Sequence, residues 1–147
     1  MKVTICSRKE IQKFIHSRFP KNTAVISFFG EGERPVHFPD GIIHLRLDID
    51  DLSASCIKDP DSYHIDDFRR IAKFVRLCDY KGMDIICQCE AGISRSAGTA
   101  AAILEYFEQD GLSVFSDYRY APNQVFFNNL LTCLQETDKE PMEIDNQ

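Results

Sequence analysis

No run of apolar residues in this chain approaches the length of a membrane span, and the N-terminus carries no apolar stretch of the signal-peptide kind. A cytoplasmic location is the expectation that follows. An excess of positive charge is missing too. The formal net charge is −6, which sets aside nucleic acid and anionic membrane as main partners, since neither is drawn to an acidic surface. His16, His37, His44 and His64 show no metal-ligand spacing. There are no internal repeats. Six cysteines could in principle pair, but without an export signal reduced thiols are the better reading.

What is present suits one globular domain. At 147 residues, 44% apolar and 27% charged, the chain can bury a proper core. Alternating strand and helix signals predict an α/β fold, with a central, mostly parallel sheet of four or five strands flanked by helices. Residues 3–6 form a short strand, after which Ser7 and Glu10 read as a capping box opening a helix to about Arg18. Residues 23–29 are apolar and β-branched, hence a buried strand, and 42–47 form the next one. The segment 30–41, with its glycines and prolines, is a loop, as is 52–63. Ile65, Phe68, Ile71, Ala72, Val75 and Cys78 recur at helical spacing and predict a helix over 65–80. The last helix runs from Asn123 to about Gln135. The domain then spans 1–135, and the acidic, proline-interrupted stretch 136–147 is a flexible tail.

The chemistry concentrates in one loop. Cys89, Glu90, Ala91, Gly92, Ile93, Ser94, Arg95 and Ser96 follow an apolar strand over 84–89. A helix over 97–108 comes next, with Ala100, Ile103, Leu104 and Phe107 on one face. A strand, a tight loop and a helix N-terminus together make an anion site, because loop and first-turn N–H groups converge. A cysteine placed there becomes a nucleophile, and the positive end of the helix favours its thiolate. Arg95 supplies a planar fork of donors to a bound oxyanion, which lysine could not do. The loop reads as a device for attacking phosphorus with sulfur.

These residues resemble the signature loop of the cysteine-dependent protein tyrosine phosphatases, in particular the small dual-specificity branch, whose wording is Ala-Gly-x-Ser-Arg-Ser. A second match lies at Pro122, Asn123 and Phe126, then Leu130, similar to the element that opens the last helix in that family. With the strand at 42–47, the resemblance covers residues 23–135. It implies a tyrosine phosphatase-like fold and hydrolysis of phosphomonoesters through a phosphocysteine on Cys89. The expected substrate is protein phosphotyrosine, extending to phosphoserine or phosphothreonine. The partner is then a phosphorylated protein or peptide, with no metal, no cofactor and a monomer as the default. Residues 90–95 would cradle the phosphate, Ser96 would donate a hydrogen bond to the departing thiolate, and Asn123 would brace the loop.

The resemblance also implies an aspartate that protonates the leaving group. Aligning the strand at 42–47 puts Asp51 in that role, with Asp50 next and Asp48 third. Asp51 precedes Cys89 by 38 positions (89 − 51), several more than is usual in that branch. An insertion over 53–63 accounts for the excess and leaves Asp59 and Asp61 open as acids.

Two further departures stand out. Gln88 replaces the usual histidine before the nucleophile, and only ten residues separate Gly111 from Pro122, so 113–120 is a shortened helix or a loop. Glu90, with no lysine in the loop, counts against polyanionic phosphoinositides and RNA 5′-phosphates. Arg119, Tyr118 and Tyr120 are candidates for substrate contact, while Phe126 and Phe127 read as core. Cys87 could trap an oxidised Cys89, although buried packing is the better reading. Cys6, Cys56, Cys78 and Cys133 read as core or surface thiols. Two other classes stay open: a catalytically weak or inactive phosphate-binding module, and a redox or sulfur-transfer protein using Cys87 and Cys89.

Overall fold

Ser7 caps the first helix from both sides. Its hydroxyl accepts from the Glu10 amide at 3.1 Å, while the Glu10 carboxylate accepts from the Ser7 amide at 3.0 Å. This reciprocal box turns strand β1 (Val3–Cys6) directly into helix α1 (Arg8–His16). A computed structural model of the chain describes residues 1–137. Most of the expected tail, 138–147, lies outside the described residues, and Glu136 and Thr137 belong to the last helix.

Three further strands, β2 (Thr23–Phe29), β3 (His44–Asp48) and β4 (Asp84–Gln88), complete a sheet of order β1-β4-β2-β3. All three pairings are parallel, with Cys87 opposite Ile5 on one side and Ile26 on the other. Being parallel, the strands deliver the loops after β1, β2, β3 and β4 to one edge of the sheet, where ligand sites of open α/β folds lie.

Both faces are covered. Helix α2 (Ile65–Tyr80) packs Phe68, Ile71, Ala72, Val75 and Cys78 onto one face, together with α3 (Arg95–Tyr106) and α5 (Gln124–Thr137). Phe126 sits edge-on to both Phe28 and Phe68, at 5.3 and 5.1 Å between ring centres. Burying such a side chain contributes about 1.5–3 kcal/mol. The opposite face is closed by Ile11 of α1 with Val25, Ile86, Val36 and Phe38. A short helix, α4 (Leu112–Ser116), fills the shortened segment before Pro122. Among the described residues no helix is long and apolar enough to cross a membrane.

The structure shifts several expected boundaries. Strand β3 begins at His44 rather than Ile42: Gly41 sits at φ 93° and the Ile42 amide turns back to the Pro39 carbonyl, so the chain first bonds to β2 through the Ile43 carbonyl, which accepts from the Val25 amide at 3.0 Å. Residues 52–63 contain two single-turn 3₁₀ helices, Ala54–Cys56 and Pro60–Ser62. Helix α3 starts and stops two residues early. The left-handed Glu108 (φ 58°) ends it, with the Gln109 amide returning to the Leu104 carbonyl. Nor does α3 show one apolar stripe: every residue from Arg95 to Ile103 is buried. Its small residues allow this. At Gly98 a Cβ would lie 2.4 Å from the Asn123 carbonyl oxygen, so the helix meets the Asn123 backbone directly.

Candidate active site

The loop between β4 and α3 leans on the junction of β1 and α1. Gly92 adopts φ 68°, and a Cβ there would stand 2.5 Å from the Ser7 nitrogen and 2.8 Å from the Cys6 carbonyl carbon. Only glycine fits both the backbone angle and the space. The Cys89 amide donates to the Cys6 carbonyl at 3.3 Å and the Arg8 amide to the Glu90 carbonyl at 3.1 Å. The Arg8 guanidinium also lies 3.6 Å from the Glu90 carboxylate.

The loop's carbonyls are anchored outward. The Ala121 amide donates to Ile93, and the Asn123 and Gly98 amides to Ser94, at 3.1, 3.0 and 2.9 Å. Among the described residues, none of the amides from Glu90 to Ser94 donates to a backbone carbonyl. Successive unpaired N–H groups at a helix N-terminus form a concavity for an anion.

Cys89 lies at the start of this concavity, 2% exposed, with its sulfur 3.1 Å from the Ser96 hydroxyl oxygen. Gln88 beside it is buried, and its side-chain oxygen accepts from the hydroxyl of Ser27, its register partner on β2.

Arg95 is gripped by a residue that the motif does not reveal. Its two terminal nitrogens donate to the two Glu33 carboxylate oxygens, each at 2.8 Å, and one also donates to the Ile49 carbonyl at 3.2 Å. The Arg95 bond holds the Glu33 carboxyl below the usual carboxylate range. Burial pulls the Arg95 pKa down, but Glu33, Cys89 and Asp51 together raise it on balance. The Arg95 Nε is buried without a partner, the only such side-chain nitrogen or oxygen among the described residues. A donor left in that state is available to a bound oxyanion.

Of the candidate acids, Asp51 is the one brought to the loop. Its Oδ1 accepts from the Ser94 hydroxyl and from the Asn123 side-chain nitrogen, both at 2.8 Å. Asn123 also donates to the Leu52 carbonyl at 2.9 Å, and its own oxygen caps α5 through the Val125 and Phe126 amides. Asp50 accepts from the Glu31 amide at 2.8 Å and has no bond to the loop. Asp48 ends β3 on the surface. Asp59 accepts from the Ser62 hydroxyl at 2.6 Å, and the exposed Asp61 lies in the Pro60–Ser62 turn. Neither of these two bonds to the loop.

The remaining thiols separate by environment. Burial pushes Cys6, Cys78 and Cys133 up to about 11 and raises Cys87 further, with Cys6 and Cys89 adding to it. Exposed Cys56 is lowered, chiefly by the Ser53 hydroxyl. All six are free. Arg119 is tied to Asp117 at 2.7 Å, and Tyr118 is almost fully exposed beside it. Among the described residues no group of His, Cys, Asp or Glu could hold a metal.

Sequence reasoning does not single out Glu33, Ser27 or Tyr63. A usable signal exists: in a parallel sheet the loops after β2 and β3 end beside the loop after β4, so acids and hydroxyls in 30–34 and 49–63 are candidates by position.

No protein-family model matches the chain, and no curated protein matches it in sequence. Solved structures do match in fold. Human DUSP28 superposes with TM-score 0.60 at 14% identity, covering 95% of both chains. DUSP15 gives 0.62 at 17%, covering 94% of this chain and 91% of its own. The human tyrosine phosphatase-like serine/threonine/tyrosine-interacting protein gives 0.53 at 22%, covering 90% and 84%. The chain therefore shares the fold of the dual-specificity and protein tyrosine phosphatases.

Proposed function

We propose that this protein hydrolyses phosphomonoesters, with phosphotyrosine on proteins as the main substrate and phosphoserine or phosphothreonine as further ones. The Cys89 thiolate attacks phosphorus, the bond to the leaving oxygen breaks, and Asp51 gives that oxygen a proton. Water, deprotonated by the Asp51 carboxylate, then displaces the sulfur from phosphorus and releases inorganic phosphate. The Ser96 hydroxyl steadies the departing thiolate. The amides of residues 90–95 and Arg95 bind the phosphoryl oxygens and neutralise charge in the transition state. Asn123 braces loop and acid together.

One observation carries this reading: Cys89, the unpartnered Arg95 Nε and a run of unpaired amides belong to one short loop, with Asp51 bonded to its rim. The catalytic unit is residues 1–135, acting as a monomer, and a reaction that needs a reduced sulfur suits the cytoplasm. Carboxylates crowd the loops around the site. Glu90 is offset in part by a surface pairing with Arg8, while Asp50, Asp51 and Glu31 add negative charge nearby. That favours one phosphate group per substrate over polyanions.

A second reading, phosphate binding without turnover, draws on buried Gln88, which cannot carry a positive charge beside the sulfur. A small aryl phosphate separates the two. Turnover lost in Cys89→Ser supports the enzyme, and phosphate binding with no turnover in the unaltered chain supports the module. The redox alternative needs a reactive Cys87, and burial holds that thiol protonated.

A further inference from the structure

The segment that carries Asp51 has little backbone support. After Ile49, whose amide donates to the Phe29 carbonyl at 2.9 Å, the next backbone bond runs from the Leu52 amide to the Asp50 carbonyl at 3.1 Å. That bond closes a three-residue turn with Asp51 at its apex. The direction of the Asp51 side chain therefore depends on how the Asp50 carbonyl is held.

A second donor reaches that carbonyl. The Tyr63 hydroxyl donates to it at 3.1 Å across 13 positions. Tyr63 is itself fixed at three points. Its ring packs against the main core and lies edge-on to His64 at 4.6 Å. Its carbonyl accepts from the Asn129 side chain at 3.1 Å, and the same nitrogen holds the Pro60 carbonyl at 2.9 Å. Asn129 is buried on α5. A line of contacts thus runs from α5 through Asn129 and Tyr63 to the apex turn, and from Asp51 back to Ser94 and Asn123.

We propose that Tyr63 is a positioning residue for Asp51, holding the Asp50 carbonyl so that the acid stays aimed at the phosphate loop. The extra residues between β3 and α2 then serve a purpose, because they carry a tyrosine back to the turn before the helix begins. The hydroxyl is a dependable donor, since burial and the nearby Asp50 and Asp51 raise its pKa above the ordinary tyrosine value. The proposal rests on reading Asp51 as the proton donor.

The test is Tyr63→Phe, alone and with Asp51→Asn, assayed on aryl phosphates of graded leaving-group pKa, with thermal unfolding as a check on folding. Tyr63→Phe keeps the ring in the core and removes only the hydroxyl. It is expected to slow kcat for poor leaving groups by about fivefold, the factor equivalent to one ordinary hydrogen bond, and to spare activated ones. The same change should add nothing once Asp51 is Asn. A uniform loss across leaving groups, or an unchanged loss in the double variant, overturns the role of Tyr63 while leaving the phosphatase reading intact. A flat leaving-group profile for Asp51→Asn alone overturns the acid assignment and this proposal with it.

Discussion

Glu33 holds Arg95 by two parallel hydrogen bonds of 2.8 Å, one to each terminal nitrogen of the guanidinium. The arginine side chain is 6% exposed and the glutamate 22%. Such a fork fixes the plane of the guanidinium as well as its charge, so the orientation of the Arg95 guanidinium is set by a residue 62 positions away.

Replacing Glu33 by Gln should lower stability by about 1.5–3 kcal/mol and weaken phosphate binding, because Arg95 loses its orienting partner. The pH dependence has a definite sign. Glu33 has a lowered pKa in the folded chain, so the pair's contribution is complete above the ordinary carboxylate value and is lost as pH falls through the lowered one. Thermal unfolding from neutral pH to about pH 3 should show the gap between the native chain and Glu33→Gln closing on acidification. A gap that widens contradicts the assignment.

Gly92→Ala places a methyl group 2.5 Å from the Ser7 nitrogen at φ 68°. The variant should lose about 1–3 kcal/mol and most of its affinity for vanadate or phosphate. Unchanged binding by calorimetry would show that the loop does not need this geometry.

Asp51→Asn should slow hydrolysis about 100-fold or more for poor leaving groups and far less for activated ones. Asp59→Asn and Asp61→Asn, which have no bond to the loop, should leave that profile unchanged. A leaving-group effect in either of those instead would transfer the acid role into the insertion.

In a Cys89→Ser background, limited alkylation should label Cys56 first, since it is exposed and its thiol is lowered by the Ser53 hydroxyl. Cys6, Cys78, Cys87 and Cys133 are buried with raised pKa values and should resist. Peptide mapping that finds Cys87 labelled as fast as Cys56 would reopen the redox alternative.

Much of this architecture can be read from local pattern. The strand runs at 3–6 and 23–29 and the Ser7–Glu10 box are written in neighbouring residues, and so is the loop from Cys89 to Ser96. Relations that depend on folding leave no such trace. Glu33 sits in a loop of glycines and prolines with nothing local to mark it, and its partner is reached only when β2 and β4 pair. Pattern starts β3 too early because Ile42 and Ile43 look like strand residues, whereas the Ile42 amide turns back to Pro39 and Ile43, although its carbonyl bonds to β2, stays 45% exposed. Periodicity predicts one apolar stripe on α3, and it misses a helix of alanines and glycine buried on every side from Arg95 to Ile103. Asp51 stands apart from Asp48, Asp50, Asp59 and Asp61 only through its bonds to Ser94 and Asn123. Tyr63 has no marker at all, since a hydroxyl reaching a backbone carbonyl has no sequence signature.

The most direct measurement is mass spectrometry of the Asp51→Asn variant, acid-quenched during turnover of an aryl phosphate with a good leaving group. Loss of the carboxylate proposed to activate water should let the proposed intermediate accumulate, and the expected result is a phosphoryl group on the peptide containing Cys89. A peptide that stays unmodified while phosphate is released, or one carrying a disulfide to Cys87, contradicts the account.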